Sequence, residues 1–375
     1  MEDNQTQSTL GRSILWLVVL ALVIAGVFAI GKQTGESEMI KIGVIAPLTG
    51  SFAVFGERIR NGIELARADL GVEDVVTVIY EDACQPKDAV SAVQKLIRVD
   101  KIAWLAGSFC LVGFVPIIPI VEENQKIAFN TAANPDATLG HQYIFSTNKS
   151  IRADAEVLAQ FARDRLGAKT AASLFYVTPL GEDYGKYFNQ YFEEFGGKIV
   201  SSERVQLTAT DFRTELAKIK SANPDIIFVV HLAKPLGIFI KQARELGLTS
   251  GLLSHSEAED PSVLEVAGDA AEGFVFSSSE PKDKTGTVLD FERRYENRYG
   301  SKPDVIAANA YDAFVLQVQA YTQCKGDTKC MLRELRNVTA HDGVSGEITI
   351  NSDGSASKPA IFKVVKNRRF VPYER

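Results

Sequence analysis

The stretch Ile40–Tyr80, IKIGVIAPLTGSFAVFGERIRNGIELARADLGVEDVVTVIY, decides the fold. Ile40 to Ala46 is apolar apart from Lys41 and reads as a buried strand. Pro47-Leu48-Thr49-Gly50-Ser51 is a loop. From Gly56 to Leu70, the residues Ile59, Ile63, Ala66 and Leu70 recur at i, i+4, i+7 and i+11, which places them on one face of a helix. Val75 to Tyr80 is the next strand. A strand, a helix and a second apolar strand in that order imply a parallel pair covered on both faces.

The same unit repeats outward. Pro86 opens a helix at a position where its missing N–H costs nothing. Ile102–Ala106 and Lys126–Asn130 are further strands with a helix between them. The pattern then restarts, with helices at Ile151–Leu166 and Gly181–Phe195 and strands at Thr170–Tyr176, Lys198–Val205 and Asp225–Val230. Two consecutive α/β units predict two doubly wound parallel-sheet lobes rather than one large sheet. A length of 375 residues suits two domains. The last third is mostly helical from Thr287 to Arg336. It ends in the strands Glu347–Ile350 and Ala360–Val365, expected as a hairpin-like tail that completes the earlier lobes.

Before the first strand, Ile14 to Ile30 carries no charge. Extended back to Leu10, the run reaches the length of about 20 residues that a helix needs to cross a bilayer. The preferred reading is one N-terminal transmembrane helix with a polar tether over residues 31–38. The alternative is a cleaved signal peptide, for which Val27-Phe28-Ala29 offers small residues near a cut. Either reading puts the rest of the chain outside the cytoplasm.

The remaining composition excludes more than it assigns. A net charge of −6 argues against a nucleic-acid partner, which needs a concentrated basic face. The histidines His141, His231, His255 and His341 share no metal-ligand spacing, and neither a phosphate loop nor a nucleophile elbow is present. His255 near Glu257 and Glu259 is the one loop with the makings of a base cluster, and a polar loop beside a cleft explains it as well. No cofactor, metal or catalytic residue is therefore assigned. Cys84, Cys110, Cys324 and Cys330 allow three pairings. Cys324 and Cys330 flank a short polar loop, and Cys84 and Cys110 each follow a strand. An exported chain favours disulfides over free thiols. The loops at the strand carboxyl ends are rich in Gly, Ser, Thr and aromatics, where open parallel sheets bind ligands.

At these loops the sequence resembles the leucine/isoleucine/valine-binding branch of the type I periplasmic, or ABC-transporter solute-binding, proteins. The resemblance is carried in order by Ile42-Gly-Val-Ile-Ala-Pro-Leu-Thr-Gly, Asn61-Gly-Ile-Glu-Leu-Ala, Tyr80-Glu-Asp-Ala-Cys-Gln-Pro, Asn134-Pro-Asp-Ala-Thr, Asp183-Tyr-Gly, Gln242-Ala-Arg-Glu-Leu-Gly, Ala271-Glu-Gly, Tyr311-Asp-Ala and Gly343-Val-Ser-Gly. It implies two lobes joined by three crossovers, placed near Phe145–Ser150, Ser277–Lys284 and Gly346–Asn351. The first lobe would hold residues 39–147 and 281–346, the second 148–280 and 347–375. It also implies a first-lobe disulfide between Cys84 and Cys110.

The resemblance further implies a small-molecule ligand held between the lobes, an ABC permease as partner and a membrane reached through the N-terminal helix. The alternatives are a membrane-anchored sensor or regulatory subunit with the same clamshell, an enzyme using the His255 loop, and a lobe pair that contacts protein. The implied ligand residues are Phe55, Leu111, Thr131 and Ala133 in the first lobe, and Tyr184, Leu232, Ser256 and Glu257 in the second. Amino-acid binders of this branch carry hydroxyls where this chain has Leu111 and Ala133, and those hydroxyls hold the ligand carboxylate. Their loss points to a less polar ligand, an amide or an atypical amino-acid pose, because a buried carboxylate needs donors.

Overall fold

Strand β1 (Ile40–Ala46) is buried along nearly its whole length. It pairs in parallel with β2 (Val76–Asp82) and β3 (Trp104–Ser108), so both of its edges are covered. The computed structural model describes residues 39–108, 110–132, 134, 136–278 and 284–374. The transmembrane run and tether expected over residues 10–38 lie outside the described residues. Among the described residues, no helix is long and apolar enough to cross a membrane.

Helix α1 (Ala53–Asp69) links β1 to β2, and α2 (Pro86–Arg98) links β2 to β3. The latter buries Ala89, Val93, Leu96 and Ile97 on one face and leaves Lys87, Asp88 and Ser91 in water. Each large aliphatic side chain buried this way contributes roughly 1.5–3 kcal/mol. After α3 (Leu111–Glu123) come β4 (Ala128–Asn130) and β5 (Ile144–Ser146). The five strands form one sheet in the order β2-β1-β3-β4-β5, with every pair parallel.

The second sheet begins after α4 (Ile151–Asp164). Its elements are β6 (Thr170–Tyr176), α5 (Pro179–Glu194), β7 (Lys198–Val205), α6 (Arg213–Ala222), β8 (Ile226–Val230), α7 (Ala233–Glu245), β9 (Gly251–Ser254), α8 (Pro261–Ala267) and β10 (Val275–Ser278). The chain then returns to the first unit with α9 (Gly286–Tyr299), α10 (Val305–Cys324) and α11 (Thr328–Arg336). Helix α10 is almost wholly buried and lies against α1. A Cβ on Gly62 would stand 2.2 Å from the Ala307 carbonyl oxygen, so that pair of helices meets backbone to backbone.

The C-terminal strands do not form the expected hairpin. Strand β12 (Gly346–Ile350) pairs with β11 (His341–Gly343) and β13 (Ala356–Ser357) in a small antiparallel sheet. Strand β14 (Ile361–Lys366) goes elsewhere. It pairs antiparallel with β10 and with the last strand, β15 (Arg369–Pro372), to complete a seven-stranded sheet in the order β15-β14-β10-β9-β8-β6-β7. Sequence alternation shows that a strand exists but not which partner completes its ladder.

Two units result. The first contains the described residues of 39–132, 138–148 and 284–357, and the second those of 133–137, 149–283 and 358–374. Residues 347–357, expected with the second lobe, lie in the first unit because β12 and β13 pair there. The short segment 133–137 joins the second unit, where Ile151 N donates to the Asn134 carbonyl and Asp136 N to the Asp183 carboxylate.

Candidate functional site

In each sheet the parallel strands end on one edge, and the helices that follow them begin there. Open α/β sheets bind ligands at this edge. In the first unit the loop after β1 is fastened to the end of β2. The N–H of Leu48 donates to Asp82 Oδ1 at 2.7 Å, and the Thr49 hydroxyl donates to Asp82 Oδ2 at 2.5 Å. The Thr49 bond, with help from the two backbone N–H groups, holds the Asp82 carboxyl below the usual carboxylate range against a smaller opposing effect of burial. Gly56, in the first turn of α1, lies so close to Pro47 that a Cβ would stand 2.0 Å from its carbonyl oxygen. The result presents aromatics. Phe52 is about half exposed, and half-buried Phe55 lies 6.2 Å from it with the Arg58 guanidinium 5.5 Å from the Phe55 ring centroid.

The disulfide Cys84–Cys110 ties the loop after β2 to the start of α3. A Cβ on Gly113 would come within 2.7 Å of the Cys84 carbonyl oxygen, so the helix is seated on that loop. Half-buried Leu111 is the first helical residue, and exposed Val112 follows it. The N-cap, Cys110, supplies no side-chain acceptor to the helix start. Thr131 is buried at the end of β4. Its N–H and its hydroxyl both donate to the Ser108 carbonyl, at 3.1 and 2.9 Å. That hydroxyl is therefore spent on the fold. The Thr131 carbonyl receives a long 3.5 Å contact from Asn309 Nδ2. Ala133 lies outside the described residues.

The second unit brings its candidates closer together. Thr178 caps α5 by accepting from Gly181 N at 3.4 Å, and a Cβ on Gly181 would stand 2.1 Å from the Tyr176 carbonyl oxygen. The helix thus starts hard against its strand, which places Tyr184 one turn further on. Tyr184 is buried, donates its hydroxyl to Asp154 Oδ2 at 2.9 Å, and meets the His255 ring edge-on at 4.6 Å. His255 Nε2 lies 3.4 Å from Glu257 Oε2. Glu257 is exposed and Ser256 half-buried in the turn after β9. Leu232 is 37% exposed at the start of α7, beside buried His231, whose ring lies 5.5 Å from Tyr176. Glu259 turns away from this group to pair with Lys363 and accept from the Ser278 hydroxyl at 2.6 Å. The base cluster considered from the sequence is therefore split.

Three residues join this site that sequence reasoning did not select. Asp154 is buried and accepts from Lys149, Tyr184 and Ser277. Burial pushes its carboxyl upward, but the Lys149 charge and the hydrogen bonds from Lys149 and Tyr184 outweigh that and hold it below the usual range. The available signal was a charge on a core face, since Asp154 shares the buried side of α4 with Ile151, Ala155 and Leu158. Lys149 and Ser277 gave no comparable signal.

A profile of the periplasmic binding proteins matches residues 39–369. The chain belongs to that family. Within it the chain falls in the type I, leucine/isoleucine/valine-binding branch. It is 26% identical over 287 residues to the leucine-, isoleucine-, valine-, threonine- and alanine-binding protein of Pseudomonas aeruginosa, a match covering 73% of this chain and 76% of the relative. It superposes on the crystal structure of a leucine-binding protein from Thermotoga maritima with a TM-score of 0.79 and 26% identity, over 90% of this chain and 98% of that one. It also superposes on an ABC-transporter solute-binding protein of Rhodopseudomonas palustris in complex with 3,4-dihydroxybenzoic acid. There the TM-score is 0.73 at 25% identity, over 88% and 93% of the two chains. Both disulfides expected of an exported member are formed, Cys84–Cys110 and Cys324–Cys330.

Proposed function

We propose that this chain is the extracytoplasmic solute receptor of an ABC importer, held at the membrane by a helix over residues 10–30, and that it captures a small organic molecule. The observation that carries the reading is the family match over residues 39–369 together with the polar and aromatic side chains at the carboxyl ends of the parallel strands of both sheets. Relatives named for amino acids and a neighbour in complex with a dihydroxybenzoate support small organic solutes as the class. Phe55, Leu111 and Thr131 form the first unit's contribution, with Thr131 acting through its carbonyl, and Ala133 is kept as a candidate from the sequence alone. Tyr184, Leu232, Ser256 and Glu257 form the second unit's. Hinge closure around the solute would exclude water and create the form that a permease recognises. Two disulfides suit a chain that works in an oxidising compartment.

The test is to denature the full-length purified protein, identify any released small molecule by mass spectrometry, and titrate it back calorimetrically. Saturable binding that Tyr184→Ala weakens at least about tenfold is expected, since that change removes a buried aromatic and leaves Asp154 short of a donor. No released solute and no binding across amino acids, short carboxylates and aromatic acids sinks the reading. For the anchor, detergent-dependent extraction of the native protein from cells is expected, and recovery in a buffer wash with residues 1–30 removed refutes it.

A further inference from the structure

A receptor that binds an ammonium group buries a carboxylate for it, because a desolvated cation needs a charged acceptor. The second unit has such a carboxylate. Asp154 has a side chain only 1% exposed, and it stands within hydrogen-bond reach of Tyr184, one of the proposed ligand residues. Both of its oxygens are occupied. Oδ1 accepts from Lys149 Nζ, and Oδ2 accepts from the hydroxyls of Tyr184 at 2.9 Å and Ser277 at 3.3 Å. The Lys149 side chain is itself 12% exposed, so this ion pair is buried rather than a surface contact. The protein has placed an ammonium of its own on the acid.

A second observation concerns what is left for a ligand. His255 is 1% exposed, and its Nε2 is buried and makes no hydrogen bond among the described residues, with Glu257 Oε2 3.4 Å away. Its ring packs against Tyr184, so the unpartnered atom belongs to the same site. An imidazole nitrogen can donate to a carbonyl or carboxylate, or accept from a hydroxyl. The remaining acid nearby, Glu257, is 40% exposed, where water screens its attraction for a cation.

We infer that the solute of this receptor carries no free ammonium group: Lys149 fills that place on Asp154, and a carbonyl, carboxyl or hydroxyl oxygen of the ligand meets His255 Nε2. The ligand class is a small organic acid or a neutral polar molecule. The inference rests on the solute-capture reading and narrows it.

The experiment compares two probes of one carbon skeleton, leucine and 4-methylpentanoate, by calorimetric titration of the full-length protein. Wild type is expected to favour 4-methylpentanoate by about tenfold or more, the cost of burying an ammonium without its acceptor. Lys149→Met frees Asp154, and the preference is expected to move toward leucine by about tenfold. The double variant Lys149→Met, Asp154→Asn removes the buried charge and returns the preference to that of wild type. Thermal melts check that each variant folds, and the double variant avoids the unpaired buried acid that could unfold the single one. Leucine binding wild type as tightly as 4-methylpentanoate, an unchanged preference in Lys149→Met, or no binding of either probe to any form overturns the inference. Mass spectrometry of the released solute separates the two levels. A recovered solute with a primary amine overturns the inference and leaves solute capture standing.

Discussion

The Tyr184 hydroxyl donates to Asp154 Oδ2 at 2.9 Å, and both side chains are buried. Hydrogen bonds to charged groups contribute about 1.5–3 kcal/mol. Tyr184→Phe is expected to destabilise the protein by that amount in urea unfolding at neutral pH. The sign of its acid dependence also follows. Asp154 is held below the ordinary carboxylate range in the folded protein, despite burial, by Lys149 and its hydrogen bonds. Its contribution is therefore complete above the unfolded value of about 3.9 and is lost as pH falls through the lower folded value. Removing the Tyr184 donor raises that folded value, so in Tyr184→Phe the loss should still begin near the unfolded value but be smaller and finish at a higher pH than in wild type. An identical acid profile for the two proteins would show that the bond does not hold the carboxylate.

His231 makes the opposite kind of prediction. Burial pushes it down to about 4, against a smaller upward effect of the Gln206 backbone and with a still smaller downward effect of the neighbouring His255. The unfolded chain then binds a proton near pH 6.5 that the folded chain refuses until about pH 4. Stability should fall across that window as pH drops, at up to about 1.4 kcal/mol per pH unit, and flatten below it. His231→Gln, which cannot take up the proton, should show a shallower decline between pH 6.5 and 4. Melting temperatures at pH 7, 5 and 4 decide this.

The two disulfides differ in the loop each closes. Cys84–Cys110 spans a separation of 26 residues and Cys324–Cys330 only 6. The chain-entropy relation gives about 3.5 kcal/mol for the first and about 2.2 for the second. The paired variant Cys84→Ser, Cys110→Ser should be the less stable of the two in urea. It should also lose affinity for the solute, because the first disulfide seats Leu111 while the second joins the ends of α10 and α11. Equal losses of affinity from both pairs would contradict that placement.

How much of this was legible in the sequence follows from the range of the forces involved. Ile59, Ile63 and Ala66 announced a buried helix face because helical periodicity is local. Thr170–Tyr176 and Lys198–Val205 were legible to the residue for the same reason. The partners of Glu347–Ile350 and Ile361–Lys366 were not, since strand pairing is settled by distant chain. Tyr184 was legible as a family motif residue, but the Lys149–Asp154 pair beneath it was not. Its two members are five residues apart with no spacing rule that marks an ion pair, and only the buried side of α4 brings the carboxylate under Tyr184. Thr131 was legible as a site residue and its hydroxyl was not legible as spent, because Ser108 reaches it only once β3 and β4 align.

The meeting of α1 and α10 gives the most direct packing test. Gly62 faces Ala307 so closely that an added Cβ would lie 2.2 Å from its carbonyl oxygen and 3.0 Å from its carbonyl carbon. The obstacle is backbone of a long buried helix, not the end of a flexible side chain, so it cannot rotate away. Gly62 sits within a helix with a right-handed backbone, where alanine is intrinsically favoured over glycine by about 1 kcal/mol. Propensity and packing therefore predict opposite signs for Gly62→Ala. Overpacking costs typically 1–3 kcal/mol and more where backbone must shift, which outweighs the propensity gain. Gly62→Ala is expected to lower stability by about 1–2 kcal/mol net, and Gly62→Val by more. Gly286→Ala supplies the control, because a Cβ at that helix start meets nothing within 4 Å. It should be neutral or slightly stabilising. A stabilised Gly62→Ala protein would mean that the two helices do not pack backbone to backbone.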